Sequence, residues 1–281
     1  MKRFKIPDIV KRDVKIDLDA NKVITIAGVR HSGKTHLMFQ CMNELLKKSI
    51  KSDNIFYVDF ENERLVGIRA TDLDNLLVAH RELFNPNGIV YVFLDEIQVV
   101  ENWEKWVRKI YDTGGYHLII SGTSSELLSM EIATSLAGRN LAYVIYPFSF
   151  EEYVNARNVK ISKLMKYSID RETILKALDE FVEFGSFPEV ALTQDKSRKL
   201  ELLSSYFDAI FFRDIVRRYK VREVGELKIF LRIISSNYAT YFSSVKSFNY
   251  FKSLGMKISR VTILKFLEYT ESAFLVNLLE Q

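Results

Sequence analysis

Gly28-Val29-Arg30-His31-Ser32-Gly33-Lys34-Thr35 reads G-x-x-x-x-G-K-T. Glycines at this spacing let successive backbone N–H groups curl around an anion, and a following helix adds its positive end. A lysine just after the second glycine brings a cation to the β- and γ-oxygens of a polyphosphate. The next hydroxyl, Thr35, is placed to ligate Mg²⁺. The chemistry implied is binding of a nucleoside triphosphate or diphosphate by Gly28, Val29, Arg30, His31, Ser32, Gly33, Lys34, Thr35 and His36, the last of which also opens the helix that follows.

A second constellation follows at Val92-Phe93-Leu94-Asp95-Glu96, an apolar run ending in two carboxylates. Asp95 is expected to hold Mg²⁺ through a water, completing what Thr35 begins. Glu96 is expected to orient and polarise an attacking water. Transfer to an acceptor other than water needs no such carboxylate, so Glu96 favours hydrolysis. Further on, Ser121-Gly122-Thr123-Ser124 offers small hydroxyls able to sense the γ-phosphate. Ser121 and Thr123 are equal candidates, and Thr123 or Ser124 also suits a helix N-cap. Gly138 suits the C-terminal end of a helix. Arg139 then projects near the strand ends, to stabilise γ-phosphate charge in its own subunit or a neighbour's, or simply to complement a helix end.

These residues need a scaffold. Val23 to Ala27, Asn54 to Phe60, Gly88 to Leu94, Tyr116 to Ser121 and Leu141 to Tyr146 are short apolar runs rich in β-branched and aromatic residues, and read as five strands. Helical periodicity fills the gaps: His36 to Lys48, Leu73 to Leu83, Asn102 to Tyr111 and Ser124 to Leu136. Alternating strands and helices predict a parallel sheet covered on both faces, with ligands beyond the C-terminal strand ends. Strand 54–60 lies between the two motifs in sequence, the arrangement of the ATPase branch that carries a catalytic glutamate.

With 281 residues, 48% of them hydrophobic, the chain can bury a full core. A single cysteine, Cys41, excludes internal disulfides and cysteine-based zinc sites, and four scattered histidines show no metal-ligand spacing. There is no signal-peptide pattern and no apolar run of membrane-spanning length, so a cytoplasmic protein with no membrane partner is expected. The net charge of +4 is unevenly spread. Between Arg213 and Lys265 twelve Lys/Arg face three Asp/Glu, which points to a polyanion partner.

Together these motifs resemble archaeal and bacterial AAA-type ATPases, P-loop proteins related to the STAND signalling ATPases. The resemblance is carried by the glycine loop, by Leu94-Asp95-Glu96-Ile97-Gln98 followed by Trp103, and by Ser121-Gly122-Thr123-Ser124. Leu136-Ala137-Gly138-Arg139, Pro147-Phe148-Ser149-Phe150-Glu151-Glu152-Tyr153 and Gly185-Ser186-Phe187-Pro188-Glu189 complete it. It implies ATP as nucleotide, an α-helical lid after the fifth strand and a C-terminal winged helix. Pro188 resembles a lid turn that leans on the nucleotide base, with Ser186 in place of the usual second glycine. Arg213-Asp214 resembles a family pair that senses phosphate or braces the lid.

The expected organisation is an α/β P-loop domain over 1–150, a helical lid over 151–222 and a winged helix over 223–281. In the last part, helices over Gly225 to Ser236, Val245 to Leu254 and Ser259 to Ser272 precede a wing strand at Ala273 to Leu279. Lys246, Lys252, Lys257, Arg260 and Lys265 dot its face and are the expected contacts to duplex DNA. The function expected is a Mg²⁺-dependent ATPase coupled to DNA. The alternative is a nucleotide-gated switch with little turnover, acting through a second copy or a protein partner.

Overall fold

The computed structural model describes residues 6–128, 134, 136, 138–159 and 170–279. Five strands form one sheet: β1 (Val23–Ala27), β2 (Ile55–Asp59), β3 (Val90–Asp95), β4 (Tyr116–Gly122) and β5 (Asn140–Val144). Every residue of β1 and β3 is buried, as a strand covered on both faces requires. The order is β2-β3-β4-β1-β5, with every pairing parallel.

That order decides the site. β4 inserts between β1 and β3, so the loop strand and the carboxylate strand are not neighbours. Ala27 is level with Gly122, and Ile120 with Leu94. The residues just after β1, β3 and β4 therefore converge at one edge, where strand ends of a parallel sheet leave a crevice.

The crossovers are α1 (Lys34–Lys47), α2 (Leu73–Phe84) and α3 (Trp103–Thr113). Helix α1 buries Leu37, Met38, Cys41, Met42 and Leu45 against Ile24, Ile26, Phe93 and Ile119. Burial pushes the Cys41 thiol up to about 12, with Glu44 adding to it, so this cysteine is a small core residue. Helix α3 buries Trp103, Trp106, Val107 and Ile110. Trp106 satisfies its indole N–H on Asp74 at 2.9 Å. Before β1, the N-terminal segment packs Ile16 and Leu18 into the same core as α1.

Several boundaries differ from expectation. The third strand starts at Val90 and includes Asp95, and the fifth runs Asn140–Val144. The helix expected over 124–136 begins as a single 3₁₀ turn, Ser125–Leu128. Residues 129–133 and 135 of that stretch lie outside the described residues. After β5 the described residues form the helices α4 (Phe150–Ala156), α5 (Asp170–Phe184), α6 (Pro188–Leu192) and α7 (Lys196–Ala209), which continues as π-helix over Ile210–Arg217. Phe148, Tyr153, Val154, Ala177 and Ala191 form a second small core there.

The chain divides into two compact units, Met1–Ser204 and Ser205–Gln281. The second contains α8 (Val224–Ser236), α9 (Ser244–Ser253) and α10 (Arg260–Ser272). Leu227, Phe230, Phe251, Ile263 and Phe266 make its core, with the Phe230 and Phe266 rings 5.7 Å apart. The wing strand expected at 273–279 is absent: those residues are turn and irregular backbone, with Phe274 at a positive φ of 55°. A strand needs a partner for its backbone groups, and the described residues of this unit contain no other strand. Among the described residues no helix is long and apolar enough to cross a membrane.

Candidate functional site

The glycine loop leaves β1 and enters α1 through three unusual backbone positions. A Cβ on Gly28 would lie 2.1 Å from the carbonyl oxygen of Ile145, so only glycine fits against the exit of β5. His31 (φ 65°) and Gly33 (φ 96°) are left-handed. Such backbone curls N–H groups inward, and α1 starts at Lys34 with no side-chain cap. Ser32 is fully buried, and among the described residues its hydroxyl has no hydrogen-bond partner.

Lys34 is buried inside this loop. Its ammonium donates to the carbonyls of Gly28 and Val29, both at 3.1 Å, and stands 3.6 Å from Glu96 Oε1. Glu96 follows β3 in left-handed backbone (φ 55°, ψ 43°), which costs a non-glycine residue roughly 1–3 kcal/mol. The turn carries its carboxylate across β4 towards the lysine.

Asp95, at the end of β3, is 2% exposed. One oxygen accepts from Thr35 Oγ1 at 2.7 Å and from the Tyr57 hydroxyl at 3.0 Å. Its other oxygen accepts from Ser121 Oγ, which in turn accepts from the Glu96 N–H at 3.2 Å. Burial, then the Asp95 charge, pushes the Tyr57 phenol up, so it remains a donor. Ser121 and Thr123, undivided by sequence, have different partners: Ser121 meets Asp95, and Thr123 meets Gln98 at 3.3 Å.

Arg30 is anchored by a bidentate pair with Glu61, at 2.8 and 3.0 Å, just after β2. His31 and His36 are exposed. Pro188, at the first position of α6, sits 3.5 Å from where a Cβ on Gly33 would be, so it packs beside the phosphate loop.

Arg139 is not at this edge. Its carbonyl accepts from the N–H of Val23, the first residue of β1, whereas the glycine loop leaves the last. Five strand residues, about 17 Å of rise, separate the two ends. Its guanidinium pairs with Asp112 at 2.8 Å and lies over the Tyr111 ring. An Arg139 acting on phosphate in its own subunit is thereby corrected. Parallel pairing puts the residue preceding a strand at the opposite end of the sheet from the residue following one. Asp214, read beside Arg213, is buried and pairs with Arg218 at 3.4 Å.

Arg12, missed in the sequence, is 4% exposed and braces the loop from behind. It donates to the Ser32 carbonyl at 2.7 Å, to the Tyr146 carbonyl at 2.9 Å and to both oxygens of Glu152 at 2.8 and 3.2 Å. Its backbone exchanges hydrogen bonds with the Gln40 carboxamide on α1. One signal was available for Glu152: Ser149-x-x-Glu152 is a capping-box pattern, and it caps α4. Nothing local marks Arg12, because its partners come from four separate stretches of chain.

In the second unit, Lys246 and Lys252 on α9, Lys257 in the turn, and Arg260 and Lys265 on α10 are all exposed. Ser243 and Ser259 N-cap the two helices by accepting from the N–H groups of Lys246 and Thr262. The Arg260 guanidinium covers the Phe248 ring at 5.4 Å.

Residues 20–154 match the family model described as a AAA domain, and residues 175–281 match a domain of unknown function. An uncharacterized protein of Methanocaldococcus jannaschii is 41% identical over 272 residues, covering 96% of this chain and 59% of that protein. One from Haemophilus influenzae is 32% identical over 258 residues, covering 92% of this chain and 62% of that protein. The chain thus spans about three fifths of these curated relatives. Among solved structures, the ORC1 protein of Aeropyrum pernix in complex with DNA aligns at 14% identity and a TM-score of 0.36, over 90% of this chain and 78% of that one. AMPPCP-bound DnaA from Aquifex aeolicus aligns at 15% identity and a TM-score of 0.35, over 90% and 82%. Scores this low carry no weight for fold or function. The family match, the strand order and the glycine loop together support a P-loop domain of the AAA type over residues 20–154.

Proposed function

We propose that this chain binds ATP and ADP with Mg²⁺ at the β1–α1 loop, hydrolyses ATP there, and couples that cycle to duplex DNA through its C-terminal helices. The observation that carries the reading is the meeting of Lys34, Thr35, Asp95 and Glu96 at one strand edge: Thr35 bonds Asp95 at 2.7 Å, and Lys34 stands 3.6 Å from Glu96.

The residues fit the group. Ser32 presents a buried hydroxyl without a partner among the described residues, in a loop curled by His31 and Gly33. Thr35 and Asp95 are hard oxygen ligands. Mg²⁺ characteristically takes only one or two protein ligands beside phosphate oxygens and water. That agrees with the lack, among the described residues, of any cluster of three or more His, Cys, Asp or Glu able to hold a metal. Bound Mg²⁺ would neutralise charge on the phosphate oxygens. The N–H groups of residues 28–33 would hold phosphate, and Lys34 Nζ would exchange its loop carbonyls for phosphate oxygens. Glu96 would accept a proton from water. Ser121 and Thr123 would report the γ-phosphate to β4, and Pro188 would bound the base.

Domain limits of 1–150, 151–222 and 223–281 belong to this proposal, with the middle part as lid. Duplex DNA is supported by the five exposed cations on two N-capped helices joined by a short turn. A second reading is a slow nucleotide-gated switch acting on a second copy or a protein partner. It is favoured by the Lys34 ammonium standing 3.6 Å from the Glu96 carboxylate, a pairing that occupies both groups.

The test is ATP and ADP affinity with Mg²⁺, and phosphate release with and without duplex DNA, for wild type and Lys34→Ala. Binding and release that vanish in a folded Lys34→Ala chain are expected. Nucleotide affinity equal in both chains would overturn the site. Tight binding without release would move the reading to the switch.

A further inference from the structure

Gln98 lies in the single 3₁₀ turn, Ile97–Val99, that follows the left-handed Glu96. Its Nε2 donates to Glu96 Oε2 at 2.6 Å and to Thr123 Oγ1, just beyond β4, at 3.3 Å. The orientation of the carboxamide is fixed by chemistry. Reversed, it would press an amide oxygen against a carboxylate oxygen, two acceptors with no proton between them. As it stands, Gln98 Oε1 is buried and has no hydrogen-bond partner among the described residues. An unpaired buried carbonyl is unfavourable, and it persists because the same rotation serves Glu96.

The other side of the carboxamide is shaped to match. A Cβ on Gly122 would fall 2.1 Å from Gln98 Oε1. The backbone φ of Gly122 is not in the left-handed region, so its own conformation does not require glycine. What a Cβ there would meet is the Gln98 carboxamide and, at 3.0 Å, Leu127 Cδ2, so an added methyl would have to displace the amide from Glu96. Two positions 24 apart in the chain are thus fitted to one another, and the purpose they share is the position of the Glu96 carboxylate.

We infer that Gln98 is a positioning residue that holds Glu96 in its working place, and that Gly122 exists to admit it. This rests on the reading of Glu96 as the group that orients water. Among the described residues the carboxylate has two side-chain contacts, Gln98 on Oε2 and Lys34 near Oε1. Without the Gln98 donor it is left to Lys34. A carboxylate drawn onto that cation neither faces water nor leaves the ammonium for phosphate. Thr123 ties the same amide to β4, so the carboxylate is referenced to the strand that separates it from the glycine loop.

Three substitutions test this by separate routes. Gln98→Glu is isosteric and sets carboxylate against carboxylate. Gln98→Met keeps the bulk and removes the donor. Gly122→Ala leaves Gln98 and Glu96 intact but fills the space of the amide. Each is measured for folding by thermal melting, for Mg²⁺-ATP affinity by direct titration, and for kcat and KM, beside Glu96→Gln. The expected signature is a loss of kcat of roughly tenfold to a hundredfold, with nucleotide affinity within about threefold of wild type. A merely structural role would lower melting temperature and affinity together and leave kcat per folded chain unchanged, and that overturns the inference. Wild-type kcat in all three variants, beside an inactive Glu96→Gln, overturns it while leaving Glu96 in place. A fully active Glu96→Gln overturns the reading of Glu96 and this inference with it.

Discussion

Arg12 and Glu152, 140 residues apart, form a buried ion pair at 2.8 Å, and the same guanidinium holds the Ser32 carbonyl of the glycine loop at 2.7 Å. The loop is therefore braced from outside by a residue preceding β1 and another following β5. Removing one partner strands a buried charge, which costs about 3–5 kcal/mol. Arg12→Met and Glu152→Gln should each show that loss in urea unfolding, with the double variant losing less than the sum. Additive losses would mean the two residues act independently.

Turnover should depend on Glu96 in a way that binding does not. Glu96→Gln is expected to keep nucleotide affinity while slowing hydrolysis by orders of magnitude, because a water-orienting carboxylate acts in the transition state. Single-turnover phosphate release checks this. Normal hydrolysis would leave Glu96 a buried carboxylate that happens to face Lys34.

Arg139→Ala should leave nucleotide affinity and turnover of the dilute chain within about twofold of wild type, since the residue is at the far end of β5. Its pair with Asp112 is half exposed, so the stability change should stay below about 1 kcal/mol. A large drop in turnover at low protein concentration would contradict the placement. A drop seen only at high concentration would reveal a role across two copies.

Acid should weaken the helices after β5 through Glu180. Hydrogen bonds from Arg157 and from Lys199, at 2.5 and 2.8 Å, hold its carboxyl down at about 2. A depressed carboxyl stabilises the fold above its unfolded value, and the contribution fades as pH falls through the folded one. Melting temperature should fall on acidification from pH 5 towards 2. Glu180→Gln should flatten that slope and start from a lower value at pH 7. An identical slope in both proteins would exclude Glu180 as its source.

DNA affinity, if it resides on α9 and α10, should be largely electrostatic. Each phosphate contacted adds roughly −0.9 to the slope of log affinity against log salt. Charge reversal at Lys257 and Arg260 should weaken binding to all duplexes and reduce the slope, without changing ATP turnover in the absence of DNA. Salt titrations of wild type and double variant decide it. Equal affinities would direct the search to a protein partner.

Local signals determined much of this protein. The glycine loop is legible because its geometry is written in eight consecutive residues: backbone curvature needs glycine, and the helix begins at once. The strand ending in Asp95-Glu96 is legible for the same reason, as is the helix that opens at Ser259. What the tertiary structure alone decided is everything that depends on strand order. Periodicity reveals a strand but not its neighbours, so it could not show β4 lying between β1 and β3, nor separate Ser121 from Thr123 by partner. It could not tell that Arg139 precedes a strand whose far end holds the site, nor that residues 273–279 lack a strand partner among the described residues. Gln98 was legible as part of a motif, but its hold on Glu96 was not. Arg12 and the partner of Tyr57 were invisible for a common reason: each is an ordinary residue until burial removes water from its polar atoms and leaves groups far along the chain to satisfy them.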